Sequence, residues 1–230
     1  MSQPLTQLKS RLGPILELYP SCAQSESDFE RWLRAYENNV DKASAALSDY
    51  VQWRELKPQY GVQEGVSGIT SSVVESETRS GKAIILGLDK EKRPLILVRA
   101  QFHDPNSTEF NLDTFTCFCI HTLSKAVEMM APPTTSMTII FDLDNITLNN
   151  LDMQAVKRLI YLLTKFYPER LGQCLILNAP IIFSTFWAGV SLLLAERTVQ
   201  KMRFLEVFEL KELIDESALP LSYGGTVEIA

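Results

Sequence analysis

The sequence predicts an α/β fold: a mixed, mostly parallel sheet with helices packed on it, preceded by a small all-helical unit. Three observations predict it. "MTIIFDL" (Met137–Leu143) and "QCLILNAP" (Gln173–Pro180) are apolar runs of the kind buried on both faces of a sheet. Between them Met153, Val156, Leu159, Ile160, Leu163 and Phe166 recur at helical spacing, so the pair of strands and their crossover helix form a parallel βαβ unit. The first sixty residues carry helical spacing and cap signals instead.

In chain order, "SESD" at Ser25–Asp28 is a capping box that opens a helix through "FERWLRAY". Asn39 caps the next helix, whose Ala43, Leu47, Tyr50, Val51 and Arg54 fall at helical spacing. Pro58, Gly61, Gly65 and Gly68 mark a linker. "KAIILGLD" and "RPLILVRA" are two strands joined by a charged hairpin, "KEKR". Asn111–Met130 reads as a helix ended by "APPTTS", and "MRFLEVFEL" as a final strand. The expected division is a helical module over residues 1–60 and an α/β domain over 61–230.

Composition limits function. A formal net charge of −6 argues against bulk nucleic-acid binding, which needs a basic face. The opening "MSQPLTQLKSRLG" lacks the apolar core of a secretory signal. Cys22, Cys117, Cys119 and Cys174 have no zinc-type spacing, and read as reduced, mostly buried thiols of a cytoplasmic protein. His103 and His121 are the only histidines and read as surface or satisfied side chains. No metal site and no catalytic residue is expected: there is no G-x-S-x-G elbow and no phosphate-binding glycine loop. Asp142 and Asp144, as alternate residues of a strand, would face opposite ways.

One stretch stands apart. Between Arg170 and Glu196 there is no charged side chain. The Asn178-Ala-Pro180 break divides it into a strand and a helical piece, Ile181–Leu194, too short to cross a bilayer. On that piece Phe183, Phe186, Trp187, Val190, Leu193 and Leu194 share a broad face opposite Ser184, Ala188 and Ser191. A core helix fits this pattern. A helix that lines or lids an apolar cavity fits it too, and explains why the far side carries only small neutral groups.

The run "YPERLGQCLILNAPIIFSTFW", followed by "ERTVQKMRFL" and "LPLSYGGT", resembles the signature of the CRAL-TRIO lipid-binding family, and "FERWLRAYENNVDKASAALSDYVQWRE" resembles its leading helical module. The likeness extends from about Phe29 to Thr226. It implies a sheet flooring an apolar lipid cavity with a helical gate (Phe183, Phe186, Trp187, Val190, Leu193, Leu194) and no cofactor other than bound lipid. It also implies a phosphatidylinositol headgroup site at Glu169, Thr198 and Lys201. The chemistry suits those residues: a carboxylate accepts from inositol hydroxyls, a threonine hydroxyl donates to a phosphate oxygen, and an ammonium balances the phosphodiester.

Three departures from the family pattern stand out. A basic pair in the first module is replaced by Arg34-Ala35-Tyr36-Glu37-Asn38-Asn39, a K-P-F-L run in the gate by Val190-Ser191-Leu192-Leu193, and the phosphatidylcholine-binding polar positions by Met137 and Ile139. They imply a carrier of phosphatidylinositol and a second hydrophobe, peripherally and transiently associated with membranes, with a phospholipid ligand and no nucleic acid among its partners. The rival readings are a carrier of a non-phosphoinositide hydrophobe, a membrane-tethering module that has lost its ligand, and a structural Glu169–Lys201 ion pair with Thr198 as a cap.

Overall fold

The structure, a computed structural model, describes residues 2–229. Helix α1 (Gln3–Leu18) sets Leu5, Leu8 and Leu12 on one stripe. That stripe packs on Phe29, Trp32 and Leu33 of α2 (Glu26–Ala35) and on Ala43, Ala46 and Leu47 of α3 (Val40–Glu55). Both expected caps are present. Ser25 accepts from the Asp28 N–H while the Asp28 side chain reaches back to Ser25, and Asn39 accepts from the Lys42 N–H. After α2 the chain turns sharply, with Glu37 and Asn38 both in the left-handed region. The linker contains a 3-10 turn at Gly65–Gly68 and the one-turn α4 (Glu75–Arg79).

Strands β1 (Ala83–Leu88) and β2 (Pro94–Arg99) form the antiparallel hairpin. Asp89 organises its charged tip, accepting from the Glu91 and Arg93 N–H groups at 2.9 and 2.8 Å and from Arg93 Nε at 2.7 Å. Helix α5 (Leu112–Glu128) begins at the Asn111 cap. Strand β3 (Met137–Asp142), α6 (Met153–Lys165) and β4 (Leu171–Leu177) form the parallel crossover unit. Then come α7 (Phe183–Ser191), α8 (Glu196–Val199) and β5 (Met202–Leu205). The sheet order is β1-β2-β3-β4-β5, and only the β1–β2 pair is antiparallel.

Strand alternation splits the apolar residues between two layers. Leu95, Leu97, Ile140, Leu175 and Leu177 face a C-terminal cover of Leu210, Ile214, Leu219 and Tyr223. Ile96, Ile139, Cys174 and Ile176 face the side of α5, α6 and α7. Beneath the sheet Thr138 donates to Asp89 at 2.7 Å, and the Tyr223 hydroxyl donates to Asp142 at 2.5 Å.

Three sequence expectations change. The last strand stops at Leu205, because its partner β4 ends at the opposite residue, Leu177; Val207–Glu209 instead makes a 3-10 turn. The gate helix is shorter than Ile181–Leu194, since no side-chain cap holds its first turn and Leu192 closes it. Strand β3 ends at Asp142, so Asp144 lies in the following turn and its N–H donates to Asp142 at 3.0 Å. The described residues contain no helix long and apolar enough to cross a membrane.

Candidate functional site

A cavity of about 570 Å³ lies between the sheet and α5, α6 and α7, within the size range of small-molecule sites. Its floor is the β-face carrying Ile96, Ile139, Phe141 and Ile176, and its walls come from Phe115, Phe118, Leu159 and Leu163. All six predicted gate residues line it. Phe183 and Val190 are buried, Phe186 and Trp187 half-buried, and Ser184 and Ala188 exposed, as the two-faced pattern requires. Leu193 departs from it: the side chain lines the cavity yet is 43% exposed, and neighbouring Leu192 is 87% exposed. Helix α7 is held by ring contacts, Phe183 against Trp187 at 6.2 Å and Trp187 edge-on to Phe204 of β5 at 5.6 Å.

At one end of the cavity the structure brings Glu169, Thr198 and Lys201 together. Glu169 Oε2 lies 3.5 Å from Lys201 Nζ and Oε1 lies 3.5 Å from Arg197 Nη1. Lys201 is fixed by a shorter bond, Nζ donating to the Leu171 carbonyl at 2.8 Å. Thr198 sits in α8 and its carbonyl accepts from the Lys201 N–H at 3.0 Å, so the two share the turn that follows the gate. Arg197 is 55% exposed, so this end reaches solvent. One carboxylate and two cations leave a local charge of about +1, suited to a single phosphodiester.

Each residue of the Tyr167–Arg170 corner has its own anchor. The Tyr167 ring is buried, with its hydroxyl 2.9 Å from Ser124 Oγ of α5, and burial pushes that phenol well above its usual range. The Pro168 carbonyl accepts from Arg31 of α2 at 2.7 Å. Glu169 adopts the left-handed region at φ 57°, unusual for a residue with a Cβ. Arg170 donates to Asp28 of α2 at 2.7 Å and to the Thr135 carbonyl at 2.9 Å. Burial raises the Asp28 carboxyl, but its Ser25 bond and the charges of Arg170 and Arg31 bring it below the ordinary carboxylate value. Burial and the nearby Arg170 lower Arg31 to about 10, so it stays charged at neutral pH.

The helical module also reaches the cavity directly, since Ala35 and Tyr36 line it; sequence reasoning treated that segment only as a lost basic pair. Arg197, which no sequence pattern singles out, shares the Glu169 carboxylate. Ile139 lines the cavity, whereas Met137 is wholly buried in the core and does not. His103 is no surface residue: its Nε2 lies 3.2 Å from Asp152, and that ring side chain is only 12% exposed. The four cysteines are free and buried. Burial pushes Cys119 and Cys174, on the cavity wall, up to about 12, which leaves them unreactive thiols. Among the described residues no group of His, Cys, Asp and Glu is arranged to hold a metal ion.

A family model described as the CRAL/TRIO domain matches residues 78–225. The phosphatidylinositol transfer protein CSR1 of Eremothecium gossypii is 28% identical over 214 residues, covering 90% of this chain and 48% of that protein. The phosphatidylinositol/phosphatidylcholine transfer protein SFH7 of Arabidopsis thaliana is 27% identical over 211 residues, covering 85% of this chain and 38% of that protein. The chain thus spans less than half the length of these two relatives. The crystal structure of Sfh5 superposes with a TM-score of 0.71 at 16% identity, covering 97% of this chain and 86% of that one, and shows the same fold.

Proposed function

Taking as premise that the chain belongs to the CRAL/TRIO domain family, we propose that it is a non-enzymatic carrier that takes up phosphatidylinositol and exchanges it at membranes. The observation that carries this reading is the Glu169 carboxylate held between Lys201 and Arg197 at the solvent-reaching end of an apolar cavity, under a gate without charge. Both ion pairs are loose at 3.5 Å, so Arg197 can turn to a phosphate at small cost, while Lys201, held on the Leu171 carbonyl, offers its remaining donors in place and the carboxylate accepts from inositol hydroxyls. Thr198 supplies a hydroxyl beside them. The relative named a phosphatidylinositol transfer protein is consistent with this ligand.

The cavity addresses the energetic obstacle to transfer. Each CH₂ moved from a bilayer into water costs about 0.8 kcal/mol, so two acyl chains cost on the order of 20 kcal/mol. Only a chamber entered directly from the membrane avoids that penalty. Exposed Ile181 and Leu192 flank the gate, and Arg197, Lys201 and Arg203 follow it, each contributing about 1 kcal/mol where it reaches an anionic surface. Attachment is therefore transient and salt-sensitive, as for a cytoplasmic protein that visits membranes. A second, non-phosphoinositide hydrophobe shares the pocket in this reading, and residues 1–60 form the helical module that braces the corner.

The test is uptake from vesicles containing phosphatidylinositol, measured by extracting the re-isolated protein. Glu169→Ala combined with Lys201→Ala should abolish that uptake while the protein still melts cooperatively. Equal uptake by the double variant and the parent protein overturns the assignment.

A further inference from the structure

The end of the cavity remote from Glu169 is also polar. Asp152, the N-cap of α6, and Glu169, just past its C-terminus, bracket a helix of 13 residues, about 20 Å at 1.5 Å per residue. The α6 wall between them is apolar, whereas Lys82, His103 and Asp152 line the remote end. These residues come from separate segments: the entry to β1, the turn after β2 and the start of α6. Behind Lys82 stands Glu77 of α4, 2.7 Å away, with both side chains under 10% exposed. Ionisable groups converging on a buried apolar chamber are costly unless their polar atoms are satisfied.

One of those atoms is not. Glu77 Oε2 is met by the Lys82 ammonium, whereas His103 Nδ1 is buried and has no hydrogen-bond partner among the described residues. His103 Nε2 faces the Asp152 carboxylate at 3.2 Å, which fixes the proton on Nε2 and leaves Nδ1 as an acceptor. Lys82, within reach of the same Phe115 ring that His103 packs on, offers ammonium donors. The remote end therefore holds one unmet acceptor, His103 Nδ1, beside a donor.

Resting on the reading of this chamber as a lipid site, we infer that its remote end binds the hydroxyl group of a neutral hydrophobe. The hydroxyl donates to His103 Nδ1 and accepts from Lys82. A hydroxyl is selected because one small neutral group does both. A carboxylate has no proton to give Nδ1 and would face Asp152 and Glu77, while an amine cation would face Lys82. An alkane leaves His103 Nδ1 unmet.

A matched pair of probes isolates that group: 1-hexadecanol and n-hexadecane, mixed equally into phosphatidylcholine vesicles. The full chain is incubated with them and re-isolated, and its bound hydrophobes are quantified by gas chromatography. The alcohol-to-alkane ratio on the protein should exceed that in the vesicles about tenfold, the factor given by about 1.4 kcal/mol of hydrogen bonding. His103→Leu should bring the ratio to that of the vesicles. Should that variant fail to fold, Asp152→Asn gives the second reading. An amide keeps the cap of α6 but can donate to Nε2, turning Nδ1 into a donor, and the preference should fall. A parent ratio equal to that of the vesicles overturns the inference and means that buried water satisfies His103 Nδ1. Retention of neither probe, or a preference untouched by both substitutions, overturns it too. Phosphatidylinositol uptake is read separately with the Glu169/Lys201 double variant at the other end, so failure of that reading and failure of this one are distinct results.

Discussion

Asp28→Asn is the sharpest probe of how the helical module is fastened to the cavity corner. Asp28 Oδ1 accepts from Arg170 Nη2 at 2.7 Å and from Arg31 Nε and Nη2 at 3.4 Å, and the two guanidinium side chains are 10% and 4% exposed. The asparagine keeps the size of the side chain and an oxygen for capping α2, but removes the anion. One short charge-assisted bond is lost, worth about 1.5–3 kcal/mol. Two buried cations are also left facing one another, which brings the expected loss to about 3–5 kcal/mol, the range for a broken buried pair. The measurement is urea unfolding at pH 7, with Asp41→Asn as the control, because its exposed partner Arg11 should make that change cost no more than about 1 kcal/mol. The pH dependence has a definite sign. The folded carboxyl of Asp28 titrates below its unfolded value, so its contribution is complete above about pH 4 and fades as pH falls through the folded pKa. Parent and variant curves should therefore converge in acid. A loss below about 1 kcal/mol at pH 7 would show that the clamp does not bear on stability and that the corner stands without the module.

Two further expectations follow from the gate and the lower layer. Leu193→Glu should reduce vesicle association with little change in melting temperature, because that side chain already reaches solvent, and hydrogen exchange should be faster in α7 than in β3 and slow on adding vesicles. Gate amides as protected as those of β3, and indifferent to vesicles, would make α7 an ordinary core helix. Tyr223→Phe should cost about 1.5–3 kcal/mol in urea unfolding, since it removes a 2.5 Å bond to the buried Asp142 carboxylate; a neutral result would refute that bond's role.

What the sequence reveals and conceals divides along the distance over which the physics acts. The Ser25 and Asn39 caps were legible because each bonds a backbone group within three residues. The βαβ unit was legible because both strands are apolar on both faces and the intervening helix has a clean stripe. The end of β5 was not, because it depends on where its neighbour β4 stops. At the site, the association of Glu169 with Thr198 and Lys201 was foreseen only through the family resemblance, as no local pattern joins residues 32 positions apart. The Arg31 bond to the Pro168 carbonyl spans 137 residues and left no trace in composition or spacing. His103 read as unremarkable because its partner Asp152 lies 49 residues away and the role inferred for it depends on the chamber it borders.

The backbone of Glu169 carries one more implication. At φ 57° a glycine would sit without penalty, whereas any residue with a Cβ costs of the order of 1 kcal/mol there. The most stable residue for this turn is thus not the residue proposed to meet the ligand, and under that proposal stability and recognition are optimised by different side chains at one position. Directed evolution for heat resistance alone would be drawn toward glycine at this corner and would discard the carboxylate, yielding a sturdier protein that, under the proposed function, fills its cavity less. Selection that keeps the carboxylate must tolerate the strained turn, and the grip of Arg31 and Arg170 on either side supplies that tolerance.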